Sequence, residues 1–234
     1  MPTAAPRFYF SLRSPYSWLA QYDLLNTYPD VAEEVEWRPF WEPDDRSAKE
    51  LADAGGEFLY TPMSRTKHLY ILQDVRRLAT RRNLTVTWPL DRDPCWEISH
   101  LPYFHAARAG LGRAYVAAVS RARWQDGQDI SRRETIGDIA SALGLDRGEA
   151  ETAYDDPDVR REATEALVAL HRDGVFGVPF FVVGREKFWG IDRLPDFVAA
   201  VRGTRAASEA AAAQAPEVPG RPATFDDGHA GGCG

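Results

Sequence analysis

Four stretches of the sequence bring together residues able to do chemistry. Ser14-Pro15-Tyr16-Ser17 follows the apolar run Phe8-Tyr9-Phe10. This reads as a strand that ends where a helix begins, with Ser14 as the N-cap and Pro15 at the first helical position. A Cys-x-x-Cys pair at such a point would run dithiol–disulfide exchange, because a helix N-terminus stabilises a thiolate. Serine at both positions removes that chemistry and leaves the electrostatics. Free N–H groups and a hydroxyl there could hold a thiolate that belongs to a bound small thiol. A plain capping serine accounts for the same residues.

The second stretch is Gly177-Val178-Pro179, which opens a strand after a long helical region. A cis proline facing the first helix is expected there, with Val178 offering its backbone N–H and C=O to a peptide-like thiol. An ordinary turn before an edge strand is the simpler alternative. The third is Trp189-Gly190-Ile191-Asp192-Arg193. Asp192 either caps the last helix or, with nearby backbone groups at Ile191, grips the amino-acid end of such a thiol. The fourth is Lys67, Tyr70, Asp74 and Arg77, whose spacing puts them on one helical stripe. That stripe is a solvated salt-bridged face or a polar wall beside a cleft. Cys95 is weighed separately: it is a buried, inert thiol, or a nucleophile activated at a helix start, with His100 and His105 as acid or base. Two histidines without further ligands do not make a metal site, and none is expected.

The elements that must position these groups follow from periodicity and punctuation. The chain opens β-α-β, with strands near 7–12 and 35–41 around a helix that Pro29 stops. Helices are expected over 62–82, 97–109, 112–126, 132–143, 147–155 and 157–173. Ser131 with Glu134, and Asp146 with Glu149, match capping boxes; Asp156-Pro157 starts a helix, and Gly144 and Gly174 end them. The chain closes β-β-α: strands at 178–183 and 187–189 and a helix over 193–202. The expected fold class is α/β: a thioredoxin-like domain built from 7–45 and 175–202, with an inserted helical subdomain at 46–174. Residues 203–234 are Ala-, Pro- and Gly-rich and read as a flexible tail.

Composition narrows the function. The chain has 234 residues, 44% hydrophobic and 12% aromatic, which suits a globular protein with a real core. A formal net charge of -7 and no basic run argue against nucleic acid as a partner. No apolar run approaches the ~20 residues needed to cross a bilayer. The start of the chain lacks the pattern of a secretory signal, and the two cysteines, Cys95 and Cys233, imply no disulfide framework. The expected location is the cytoplasm.

Taken together, the motifs resemble a known family. Phe8-Tyr9-Phe10 with Ser14-Pro15-Tyr16-Ser17-Trp18-Leu19-Ala20 looks like the opening of the 2-hydroxychromene-2-carboxylate isomerases and kappa-class glutathione transferases, a DsbA-like branch. The stretch from Gly174 to Val183 and then Phe188 to Leu194 looks like their C-terminal signature. The 67–77 stripe and Ala122-Arg123-Trp124 also recur there, and the resemblance spans roughly 7–202. It implies that Ser14 hydrogen-bonds the sulfur of glutathione or another low-molecular-weight thiol. It implies further that Val178 and Pro179 hold the cysteinyl part, and that Ile191 and Asp192 hold the glutamyl part. Arg13, Tyr16, Trp41, Lys67 and Trp189 are then the expected contacts to a small conjugated substrate, and a homodimer is expected. A buried pocket lined by Tyr16, Trp18, Trp41 and Trp189 would fit an enzyme. The implied reaction is redox-neutral cis–trans isomerisation by transient thiol addition. The alternatives are a thiol transferase and a non-catalytic binding protein with a degenerate site. The sequence departs from the family at three positions: Arg13 before the serine, Phe180 after the proline, and no asparagine near Gly55-Gly56-Glu57.

Overall fold

The computed structural model describes residues 4–60 and 64–213. A four-stranded mixed sheet stands at its centre in the order β2-β1-β3-β4. β1 (Arg7–Phe10) pairs in parallel with β2 (Glu36–Pro39) and antiparallel with β3 (Phe180–Val183), which pairs antiparallel with β4 (Glu186–Trp189). Phe8, Tyr9 and Phe10 are all buried, so β1 has helices over both faces, which explains its unbroken apolar run. Phe8 stacks on Phe181 at 5.0 Å and meets the Trp37 ring edge-on at 4.9 Å, locking three strands together.

α1 (Pro15–Asn26) follows β1 directly. Pro29 does stop it, but it also starts another helix, α2 (Pro29–Glu34), which the sequence reading omitted. Proline lacks the N–H that a first helical residue does not need, so one residue both ends and begins. Between β2 and β3 come α3 (Asp45–Asp53), α4 (Arg65–Thr80), α5 (Glu97–His100), α6 (Pro102–Arg108), α7 (Gly112–Trp124), α8 (Arg133–Ala142), α9 (Arg147–Thr152) and α10 (Pro157–Asp173). The single helix expected over 97–109 is two, because Pro102 cannot donate within the helix. The caps at Asp146 and Asp156 hold: each carboxylate accepts first-turn N–H groups. Gly174 ends α10 at φ +66, where a side chain is disfavoured.

Three expectations fail for identifiable reasons. Ser131 caps nothing: its N–H donates to Asp129, its hydroxyl is buried without a partner, and the N-cap of α8 is Arg132. The Asp129 side chain has taken over the backbone there. Asp192 lies inside a 3-10 turn (Ile191–Arg193) whose N-cap is Gly190, so it does not cap the last helix. That helix, α11 (Leu194–Ala213), runs past the expected stop at 202. Its alanine-rich extension has high helix propensity, and Arg202 and Arg205 pair with Asp30 and Glu34 of α2. The rest of the expected tail, 214–234, lies outside the described residues, as do 61–63 before α4.

Two apolar clusters fill the molecule. The larger runs from the sheet through α5–α10. The smaller joins α1, α4 and α7 through Trp18, Leu19, Ile71, Val75 and Trp124. Among the described residues no helix is long and apolar enough to cross a membrane.

Candidate active site

The register of the sheet places Ser14 and Pro179 at the same end. Tyr9 lies opposite Phe180, so Pro179 continues β3 at the level where β1 runs into the turn before α1. The Val178–Pro179 peptide is cis, as expected. Pro179 C=O accepts from Gly190 N–H at 2.9 Å, and that holds the segment carrying Ile191 and Asp192 against the same end. Ile191 and Tyr16 both pack against the smaller cluster.

Ser14 is the N-cap of α1 in extended geometry. Its Oγ accepts from Ser17 N–H at 3.2 Å, and its C=O accepts from Trp18 N–H. Accepting leaves the hydroxyl proton of Ser14 free to be donated outward. Pro15 has no N–H, and Tyr16 N–H has no acceptor among the described residues. Two donors therefore face an incoming anion at the positive end of a helix. Ser17 is not equivalent. It is buried, and its Oγ accepts from Ser11 N–H at 3.2 Å, bracing the turn from inside.

His100 is the residue that fixes this turn, and it does so structurally. It is fully buried, and burial drives its pKa down to about 3, so the ring is neutral. Nε2 accepts from Leu12 N–H at 3.0 Å and Nδ1 donates to Trp96 C=O at 2.7 Å, which assigns the tautomer. An acid–base role for His100 is therefore corrected to an anchor: α5 grips the backbone two residues before Ser14. Trp124 Nε1 grips Leu12 C=O from α7 at 3.2 Å.

The polar stripe of α4 faces this place only in part. Tyr16 donates to Asp74 at 2.8 Å, and burial followed by the Asp74 carboxylate pushes its phenol pKa up, so it stays protonated. Arg77 pairs with Asp74 at 3.1 Å and lies over the Tyr70 ring. Lys67 Nζ sits 5.9 Å from the Trp189 ring, and Phe176 meets Trp189 edge-on at 5.1 Å. Trp189 is half-exposed and approaches Gly177 closely enough that a side chain there would collide with the indole. Asp192 projects into solvent and accepts no backbone N–H among the described residues. The backbone N–H and C=O of Val178 likewise have no partner there.

Two proposed contacts are corrected. Trp41 is 1% exposed, stacks on His100 at 5.9 Å and donates to Glu97, so it belongs to the core and cannot touch a substrate. With Trp18 buried in the other cluster, the aromatic pocket imagined around Ser14 reduces to Tyr16 and Trp189. Cys95 fails as an activated nucleophile. Burial, then the neighbouring Glu97 carboxylate, raise its thiol to about 11, the opposite of activation. Asp44, Cys95 and Glu97 do converge within 4.8 Å. Both carboxylates are already used: Asp44 caps α3, and Glu97 accepts from Asp44 N–H and Trp41.

The sequence reading named Arg13 but missed the second cation, Arg123, that shares Trp96 with it. Arg13 and Arg123 lie over the Trp96 ring at 5.3 and 4.9 Å. Arg13 pairs with Glu42, and the buried Arg123 pairs with Asp91 through two 2.8 Å bonds while its Nε stays without a partner. The signal was present in Arg13-Ser14 and Ala122-Arg123-Trp124, but their convergence depends on the packing of α7 against α1.

Comparison with known proteins agrees with this geometry. The family model of the DSBA-like thioredoxin domain matches residues 7–202. The 2-hydroxychromene-2-carboxylate isomerase of Sphingobium xenophagum is 30% identical over 200 residues, covering 82% of this chain and 94% of that one. The protein of the same name from Pseudomonas sp. (strain C18) is 27% identical over 190 residues, covering 80% and 85%. Among solved structures, a selenomethionine 2-hydroxychromene-2-carboxylate isomerase superposes with a TM-score of 0.69 at 24% identity, covering 88% of this chain and 98% of that one.

Proposed function

The chain belongs to the DSBA-like thioredoxin-domain family and is an isomerase within it, and from that premise we propose that it interconverts the cis and trans forms of a conjugated carboxylic acid with the help of a small thiol. The observation that carries this is Ser14, whose hydroxyl proton is uncommitted at the start of α1 while no cysteine stands at either position of the motif. The free backbone groups of Val178 and the exposed carboxylate of Asp192 fit a peptide-like thiol such as glutathione. When bound, that thiol supplies the sulfur nucleophile whose addition and departure turn a double bond briefly into a rotatable single bond.

The chain's own residues make this favourable at neutral pH. Ser14 Oγ–H and Tyr16 N–H stabilise the thiolate form by charge-assisted hydrogen bonds. Arg13, partly exposed next to Ser14, supplies positive charge for the acid group of the substrate in exchange for its pairing with Glu42, while Arg123 stays buried on Asp91 beneath Trp96. Trp189, held by Phe176 and Lys67, offers a flat wall for a ring. Neither serine can be oxidised to a disulfide, so no net electron transfer occurs at this site.

A hydroxychromene carboxylic acid, on which the named relatives act, is the first substrate to test. Its isomerisation should need added glutathione and should saturate with it, and the free thiol should be recovered undiminished. A thiol consumed one-for-one would mark a transferase instead. A rate indifferent to thiol would refute thiol assistance.

A further inference from the structure

Four polar side chains on one face of the sheet gather at the end of α10, and none takes part in the site described above. The register sets Arg38 beside Tyr9, and Arg7 in one row with Val182 and Lys187, so residues of β1, β2 and β4 share that face. They converge on Asp173, the last residue of α10. Tyr9 Oη donates to the Asp173 carboxylate, and Arg38 Nη1 donates to Tyr9 Oη at 3.1 Å. Arg7 Nε lies 2.9 Å from the same carboxylate, an ion pair outside hydrogen-bond alignment. Lys187 Nζ donates to Asp173 C=O at 2.6 Å. Burial, then the bond to Asp173, push the Tyr9 phenol pKa up, so Tyr9 stays a donor.

The segment that follows depends on this anchor. The chain turns at Gly174, at φ +66, and Val175 N–H donates to Leu170 C=O at 3.0 Å. From there to Pro179 the backbone has no support of its own: the N–H groups of Phe176, Gly177 and Val178 have no acceptor among the described residues. The next fixed point is Pro179 C=O, which accepts from Gly190. The place of Val178 is therefore set by the two ends of the segment and by the Phe176 ring, which meets Phe180 and Trp189 edge-on. Asp173 is the upstream end.

We propose that Asp173, clamped by Tyr9 and Lys187, is a positioning residue for thiol binding, setting the backbone of Val178 where a peptide-like thiol can bond to it. This rests on the thiol reading of the site. The other half of that site is held separately, because the turn before Ser14 hangs on His100 and Trp124, neither of which bonds to Asp173. Asp173 thus acts on affinity for the thiol and leaves the stabilised thiolate alone.

Glutathione is the probe. Isomerisation followed against its concentration should show KM for glutathione raised about five- to tenfold in Tyr9→Phe and Asp173→Ala, with kcat at saturating glutathione within about twofold of wild type. Asp173→Asn, whose amide oxygen can still accept from Tyr9, should recover most of the loss. In nitrogen-15 spectra without substrate, glutathione should move the Val178 amide signal, with a half-point raised by the same factor in the first two variants. If either of those fails to fold by circular dichroism, Lys187→Met, changed at an exposed residue, should show the same split. Unchanged KM and half-point in the folded variants, or a fall in kcat as large as the rise in KM, would overturn the proposal while leaving a glutathione-dependent wild type intact. A wild type that needs no glutathione and shows no shift at Val178 would overturn the thiol reading, and the positioning role with it.

Discussion

Ser14 and Cys95 divide the chemistry of this protein between a hydroxyl that accepts from its own helix and has a proton left to donate, and a thiol that is kept protonated. Burial and the Glu97 carboxylate hold the Cys95 thiol near 11, so its reactive thiolate is scarce until the pH approaches that value. Peptide mapping after brief iodoacetamide treatment should find Cys95 nearly unlabelled at pH 7.5, with labelling rising steeply above pH 10. Rapid labelling at neutral pH would show an activated thiolate and reopen its catalytic role. With serine at both Ser14 and Ser17, the protein should also reduce no insulin disulfides above background, even with excess thiol present. Both outcomes follow from residue chemistry that is visible in the sequence. The buried, inert reading of Cys95 is one of two that the sequence leaves open, and what decides for it is the Glu97 carboxylate turning back from α5 toward Trp41 and the Asp44 backbone.

At the scale of the elements, the site depends on how α5 and α7 hold the turn before α1 and how α4 holds α1 itself. His100 has its pKa depressed to about 3 in the fold, against 6.5 when free. A base with a depressed pKa contributes stability fully above the unfolded value, and that contribution is lost as pH falls from 6.5 toward 3. Thermal melts of wild type should therefore fall over that acid window, and those of His100→Gln should fall less steeply from a lower start. Equal slopes would mean that His100 is not buried neutral. Tyr16→Phe should cost about 1 kcal/mol through the lost bond to Asp74, read as a modest drop in urea midpoint. A variant as stable as wild type would show that this link between α1 and α4 contributes nothing. These elements were largely legible from punctuation. Ser14-Pro15, Asp146, Asp156-Pro157 and Gly174 each placed an end correctly, because their effect is local. Ser131 misled because the neighbouring Asp129 took over the backbone there, and the role of Pro29 and Pro102 as starts of further helices went unread because a proline that ends one helix can also open the next.

For the whole molecule, the order of motifs fixed the fold class, since β-α-β and β-β-α halves can form one mixed sheet only if the helical stretch between them leaves and returns. The meeting of Ser14, Pro179 and Ile191 at one end of the sheet was legible because all three lie on the two halves of the fold. It was illegible where it depends on long-range packing: Trp41 faced inward, and Arg123 arrived from α7. The central claim concerns the thiolate that Ser14 is placed to stabilise. Losing a hydrogen bond to a charged partner costs about 1.5–3 kcal/mol, roughly one to two decades in rate if felt fully in the transition state. The most direct measurement is the isomerisation rate of a hydroxychromene carboxylic acid by wild type, Ser14→Ala and Cys95→Ala, each with and without glutathione. The expected result is a thiol-dependent rate, cut by one to two decades in Ser14→Ala and unchanged in Cys95→Ala. Undiminished, thiol-independent turnover in Ser14→Ala would contradict it.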